Sequence, residues 1–380
     1  MILFLLVLAG IFYAAERYSL VHGLEGILVK TETDRIVVEP GEPFLWTLTV
    51  KNGNRRMAPY LEIREMVPAG LFLAETGEPA EGKEGAGVRS VLYLKGHEQA
   101  RLSRRVFLLE RGRYFFRGCR LEAGDFLGLK TVSDTFPELA ELVVKPRRME
   151  SVKLSELLGG FLGETSVDRS LWEDPVLTVG FRDYTGREPF RSIHWLQSAK
   201  SGRLVVRQYD HTLDQTCTVL FNTDGEGEGL GKRLELCCRA ARQVCEELEK
   251  RKIAYDFQTN GVIAGAMGEW RTVGSGLGAG HLETVLEGLG RMTDGFRETG
   301  AEWLWRIGNG INSRTGMILI TPVMGAGLSE AVLRLEERFC GKVLVVNLSE
   351  MEGRRHDPCG KAFGGYVLVL RHSGSRLFGL

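Results

Sequence analysis

The sequence predicts a multi-domain chain: a short amino-terminal membrane helix, then an all-β sandwich, then an α/β domain with a mostly parallel sheet. Three observations predict it. Residues 1–15 (MILFLLVLAGIFYAA) contain no charged side chain. Residues 26–148 carry short β-type runs separated by turn chemistry, with no helical period between them. From residue 216 onward, strand-like and helix-like runs alternate. A chain of 380 residues is long enough for two domains of ordinary size.

The first segment, residues 1–20, is expected to be a membrane anchor. Fifteen helical residues rise only about 22 Å, short of a hydrocarbon core of about 30 Å. Extending the helix to Leu20, with Arg17 snorkelling, nearly closes that gap. The segment lacks the basic start and the A-x-A-like cleavage site of a secretory signal. Arg17 and Lys30 follow it and no side-chain cation precedes it, which places a single-pass protein in the inner membrane with its bulk in the cytoplasm.

Composition narrows the partners. Apolar residues make up 43% and charged residues 26%, and 49 basic side chains balance 49 acidic ones. A net charge of zero provides no global field for nucleic acid, and the aromatics are not interleaved with bases as a nucleic-acid surface requires. Seven cysteines, without a C-x-x-C pair, suit neither a disulfide framework nor a zinc site. Cys237, Cys238 and Cys245 share one predicted helix and are expected to pack as small apolar groups in a reducing compartment.

Within the expected sandwich, residues 44–50 (FLWTLTV) alternate and are rich in β-branched and aromatic side chains. A Pro-Gly-Glu-Pro turn precedes them and Asn52-Gly53 follows. Residues 60–66, 90–94, 101–109, 114–121 and 141–144 read the same way, and 77–87 as a Gly/Glu-rich loop. Residues 149–215 form a linker and a distinctive segment, with a short helix expected around 154–158. The α/β domain, 216–380, begins with a buried strand at 216–221 and an amphipathic helix at 230–250. That helix should turn Leu234, Cys238, Ala241, Cys245 and Leu248 inward. Strands follow at 253–259, 269–273, 317–321, 342–348 and 366–370, with helices at 281–292, 302–307 and 328–339. The one strand–strand step reads as a hairpin at the sheet edge, a habit of the von Willebrand factor A fold.

Residues 184–210 (YTGREPFRSIHWLQSAKSGRLVVRQYD) carry the densest pattern. Tyr184, Gly186, Arg191, Ile193, His194, Trp195, Ser198, Ala199, Lys200, Leu204, Val206 and Arg207 fall in its fixed positions. This resembles the signature of the bacterial family called domain of unknown function 58. One departure is Arg187, where that family usually has Asp. The stretches ERGRY at 110–114 and GDFLG at 124–128 look like the same family's sandwich. The resemblance implies an amino-terminal membrane segment, a sandwich, a von Willebrand A-like domain, and association with a MoxR-type AAA+ ATPase. Read physically, Ile193, Trp195 and Leu204 are expected to bury while His194 and Lys200 stay accessible. One reading makes the segment internal packing that ties the linker to the sheet. The other makes Arg182, Arg187, Arg191, Lys200, Arg203 and Arg207 a basic docking face for an acidic partner.

The A-like fold often binds Mg²⁺ through oxygen ligands after its first strand. The matching positions here are Asn222, Asp224 and Glu226, and Thr321 is followed by Pro322 where an Asp ligand would sit. The expected reading is a degenerate, metal-free site and no cofactor. The Gly-rich runs at 225–231 and 274–280 lack the Ser/Thr or ribose-binding acid of nucleotide loops, and no nucleophile–base spacing stands out. The sequence therefore predicts a non-enzymatic, membrane-anchored scaffold or adaptor that binds a protein. Its alternative is a metal-dependent ligand-binding domain or hydrolase using Asn222, Asp224 and Glu226.

Overall fold

The computed structural model describes residues 10, 17, 23–80, 88–124, 130–170, 178–186, 190, 193–209, 216–265, 272–310, 316–338, 343–348 and 368–370. The chain divides into two compact units, residues 1–147 with 286–292, and 148–285 with 293–380.

The first unit is β-sandwich-like. Its strands are β1 (Ile27–Thr33), β2 (Val37–Val38), β3 (Phe44–Asn52), β4 (Ala58–Glu65), β5 (Leu71–Leu73) and β6 (Arg89–Leu94). There follow β7 (Gln99–Leu108), β8 (Gly112–Phe116), β9 (Cys119–Gly124), β10 (Thr131–Phe136) and β11 (Ala140–Val144). They form sheets of order β1-β3-β7-β5, β10-β9-β4-β6 and β2-β11-β8, antiparallel except for the short β2–β11 pair.

Strand β3 shows why this sequence folds so. Its alternation buries Phe44, Trp46, Leu48 and Val50 on one face, and the two halves of that face enter different clusters. Phe44 and Trp46 pack with Val106, Leu108, Phe116 and Leu142. Leu48 and Val50 pack with Leu61, Ile63, Cys119 and Leu121. The Trp46 ring stacks on Phe116 at 5.0 Å between centroids, and its indole N–H donates to Thr31 Oγ1 at 3.2 Å, so its one polar atom is satisfied. The expected single strand at 114–121 is divided into β8 and β9 by a turn at Gly118. Its φ of +79° and the 2.2 Å that would separate an added Cβ from the Phe136 carbonyl oxygen leave room only for glycine.

The second unit opens with α1 (Val152–Ser170), a full helix where the sequence suggested a linker with one turn. Next come β12 (Thr178–Asp183), α2 (Trp195–Ser201) and β13 (Val205–Tyr209), then β14 (Thr216–Phe221) and α3 (Leu230–Lys250). The remainder is β15 (Ala254–Thr259), β16 (Gly261–Ile263), β17 (Thr272–Gly276), α4 (Ala279–Arg291), β18 (Met292–Phe296), α5 (Gly300–Gly308), β19 (Gly316–Thr321), α6 (Ala326–Arg338), β20 (Val343–Asn347) and β21 (Leu368–Leu370). The main sheet runs β17-β15-β14-β19-β20-β21. Helix α3 buries Leu234, Cys238, Ala241, Cys245 and Leu248 as its 3.6-residue period requires. Trp303 and Leu304 of α5 and Leu328, Val332 and Leu335 of α6 pack with Leu319 and Val345 of the sheet.

Two expectations need correction. A mostly parallel, von Willebrand A-like domain is not what the pairing shows. The main sheet is mixed, with β14, β15, β19 and β20 parallel and both edge strands antiparallel, and the small β12–β13 sheet is antiparallel too. Among the described strands, antiparallel pairs outnumber parallel ones. The antiparallel β15–β17 pair is the edge hairpin expected from sequence, whereas three-residue β21 carries too little pattern to reveal its direction. The membrane helix and the single-pass inner-membrane placement are also overturned: among the described residues no helix is long and apolar enough to cross a membrane. An uncharged run of fifteen residues was already short of a bilayer core. Apart from Gly10 and Arg17, the expected anchor lies outside the described residues, as do most of the 77–87 loop and the 124–128 motif.

Trp46 is 1% exposed and joins one face of β3 to its core, so Trp46→Ala should cost about 3–5 kcal/mol. A lowered urea midpoint of the sandwich transition is the expected readout.

Candidate functional site

The carboxyl ends of β14, β15 and β19 lie side by side, because these strands pair in parallel and in register. Each apolar strand ends in polar residues: Asn222-Thr223-Asp224 after β14, Thr259-Asn260 at the end of β15, and Thr321 at the end of β19. Asn222, Thr223 and Thr321 are fully buried and Asn260 nearly so, which obliges each to find partners inside the protein.

They find one another. The Asn222 amide nitrogen donates to Thr321 Oγ1 at 3.0 Å and to the Asp224 carbonyl at 3.2 Å. Its oxygen accepts from the Asn260 amide at 2.7 Å and from the Asp224 backbone N–H at 3.1 Å. Asn260 also donates to the Glu298 carbonyl at 3.1 Å and accepts from the Thr223 N–H at 2.9 Å. Thr321 Oγ1 donates to the Val323 carbonyl at 2.7 Å. The Asp224 carboxylate accepts from the Gly300 N–H at 2.8 Å, at the start of α5, where an anion is favoured. Thr299 and Glu302 complete a capping box on the same helix. A Cβ at Gly300 would sit 2.7 Å from Asn222 Oδ1, so the helix reaches the cluster through glycine.

This donor set does not fit a divalent cation. Asn222 turns its N–H groups, not a ligand oxygen, into the space between β14 and β19. Its oxygen already accepts two hydrogen bonds. Pro322 supplies no ligand, and Glu226 is exposed in the following turn, away from the buried cluster. Among the described residues no group of three or more His, Cys, Asp or Glu side chains could hold a metal ion. The sequence identified Asn222 and Asp224 but missed Asn260 and Thr321 as the partners that close the network.

The signature segment is a separate small assembly. Strands β12 and β13 pair antiparallel, with α2 between them in the chain. His194 caps α2: its Nδ1 accepts from the Gln197 N–H at 3.1 Å, so the other ring nitrogen carries the proton in the neutral form. Its backbone N–H donates to the Val205 carbonyl at 2.9 Å. Ser198 Oγ accepts from the Val205 N–H and donates to the His194 carbonyl, both at 3.0 Å, which ties the helix to β13. Gly202 ends the helix in the left-handed conformation, φ +67°, and Gly186 makes the preceding turn at φ +84°.

Burial divides this segment differently from expectation. Ile193, Ser198, Val205 and Val206 are buried, whereas Trp195 is 63% exposed and Leu204 is exposed. Trp195 is the first residue of α2, and the side chain this helix buries is that of small Ser198, while the capping His194 is half-buried. Phe181, Phe190 and Leu196 are exposed as well. The Phe181 ring lies 4.9 Å from that of His194, and Tyr184 lies 5.9 Å from Phe190. Lys200 and Arg182 are exposed, and Arg203 pairs with Asp183 at 3.0 Å on the surface. Arg187 and Arg191 lie outside the described residues, as does the side chain of Arg207, whose backbone belongs to β13.

Buried thiols offer no nucleophile. Cys119, Cys217, Cys237, Cys238 and Cys245 are buried. Burial pushes the Cys119 thiol up to about 12 and raises Cys237 and Cys245 as well.

No family model matches the chain, and no curated protein matches it. Among solved structures, the CARDB domain of a Pyrococcus furiosus protein in complex with two metal ions is 13% identical, with a TM-score of 0.21. That match covers 31% of this chain and 91% of the other. The bacterial hydrophobin BslA is 17% identical over 33% of this chain and 97% of its own, with a TM-score of 0.22. An alkylpurine DNA glycosylase from Pseudomonas fluorescens, bound to DNA with an abasic-site analogue, is 10% identical over 31% of this chain and 30% of its own, with a TM-score of 0.18. Likeness at these scores assigns nothing.

Removing Asn222 should leave the Asp224 N–H without its acceptor and take one hydrogen bond each from the Asn260 amide and Thr321 Oγ1, which keep the Glu298 and Val323 carbonyls. Asn222→Ala is expected to lower stability by about 1–3 kcal/mol for each buried group left unpaired, measured by chemical denaturation. Added Mg²⁺ should leave the midpoint of the unaltered chain in place, because only a bound ligand shifts it.

Proposed function

We propose that the chain is a non-enzymatic scaffold or adaptor of the domain of unknown function 58 family, and that its signature segment docks an acidic protein partner. The exposure of Trp195 supports this reading best. A helix that leaves its largest side chain 63% exposed, next in sequence to exposed Leu196, holds an aromatic anchor of the kind that dominates protein interfaces. Lys200 at the far end of the same helix and Arg182 on β12 are exposed, which favours an acidic surface and would speed the encounter. The strand-end cluster supports the same reading from the other side, since its polar groups are spent on one another. The family resemblance points to a MoxR-type AAA+ ATPase as the partner.

Trp195→Ala and Lys200→Glu separate docking from folding, because changes at exposed positions alter stability by only about 0.5 kcal/mol. Both variants should stay folded. Capture of a co-expressed MoxR-type ATPase should weaken about 30-fold in Trp195→Ala, the size of a hot-spot loss. Capture by Lys200→Glu should also weaken, and that by the unaltered chain should fall as salt rises. Undiminished, salt-insensitive capture by both folded variants would leave the segment as internal packing alone.

A further inference from the structure

Strands β4 and β7 send alternate side chains into the sandwich: Leu61 and Ile63 from one, Val106 and Leu108 from the other. The same alternation carries Glu65 and Arg104 inward, where an apolar pair would be expected. Glu65 is 1% exposed. Its Oε2 accepts from Arg104 Nε at the long distance of 3.4 Å, and its Oε1 is buried with no hydrogen-bond partner. Arg104 is shared, since its Nη2 donates to Ser90 Oγ on β6 at 2.7 Å. From β9, Cys119 stands opposite Glu65 in register, and its buried thiol is neutral. Arg104 is thus the charged group that faces Glu65, with Ser90 and Cys119 as the neutral polar ones.

Another carboxylate of the same strand makes the contrast. Glu62, on the opposite face of β4, accepts hydrogen bonds from Arg89, Tyr60 and Arg64. The Arg89 guanidinium, with the other two donors, holds its carboxyl down at about 2 against the cost of burial. Glu65 has one long bond to set against its desolvation, and burial pushes its carboxyl up to about 7.

We propose that Glu65 is a proton-sensitive latch between two sheets of the sandwich. With a proton on it, β4, β6, β7 and β9 close over a neutral carboxyl. Ionised, it draws water towards the unpartnered Oε1 and loosens that end of the sandwich. The raised value fixes the sign. The stabilisation is complete below the ordinary carboxylate range near 4.5 and is lost as pH rises through about 7.

Two measurements on the full chain test this. Carboxyl-carbon NMR of the unaltered protein should find Glu65 titrating near neutrality, with Glu62 ionised throughout. Amide exchange of Glu65, Met66 and Arg117, whose N–H groups donate to Val88, Gly118 and Met66 around the latch, reports its opening. Corrected for intrinsic rates, protection should fall roughly 30-fold between about pH 5.5 and about pH 8. In Glu65→Gln it should stay level. A Glu65 midpoint in the ordinary carboxylate range, or the same fall in Glu65→Gln, would overturn the latch. If Glu65→Gln does not fold, the titration of the unaltered chain decides.

Discussion

The second unit depends on one constraint: the polar residues that end β14, β15 and β19 are buried and must be satisfied where they stand. Parallel pairing brings three such ends together, and no water-facing route is left for Asn222, Asn260 and Thr321. Closing them into one hydrogen-bonded cluster ties three strands and, through Asp224 and Gly300, the start of α5. Each bond is worth only about 1 kcal/mol net, but leaving any member unpaired would cost more than that. The cluster is therefore a structural clasp. Crevices at the ends of parallel strands commonly receive ligands; here an amide occupies the position.

That constraint moves the search for function to the surface. In the signature segment, Ile193, Ser198, Val205 and Val206 hold α2 against β13, and the His194 cap fixes where the helix begins. The same geometry leaves Trp195 and Leu196 facing outward from the first turn. Buried and exposed side chains are thus interleaved in one short segment. A partner that gained from Trp195 would also meet Lys200 at the far end of the same helix.

Legibility in the sequence followed the strength of local pattern. Strand β3 was readable because seven alternating residues sit between two turns, and α3 because its apolar positions recur over five turns. Two-residue β2, three-residue β5 and the polar β10 (TVSDTF) carry no such period and went unseen. The direction of β21 was hidden for a related reason: alternation is the same in either sense of pairing. Asn222 could be singled out from its place after an apolar strand. Its partners could not, since Asn260 and Thr321 lie 38 and 99 residues away and meet it only through the sheet. Trp195 was misjudged because composition favours burying a tryptophan, while the cap at His194 decides which way it points.

In the proposed docking, Trp195 anchors a partner while its buried neighbours hold the fold. Hydroxyl-radical footprinting of the full chain, alone and saturated with a MoxR-type ATPase, tests it most directly. Trp195, Leu196 and Phe190 should be readily oxidised in the free chain and protected in the complex, with Ile193 and Val206 unreactive in both. Trp195 inert in the free chain, or equally oxidised in the complex, would contradict it.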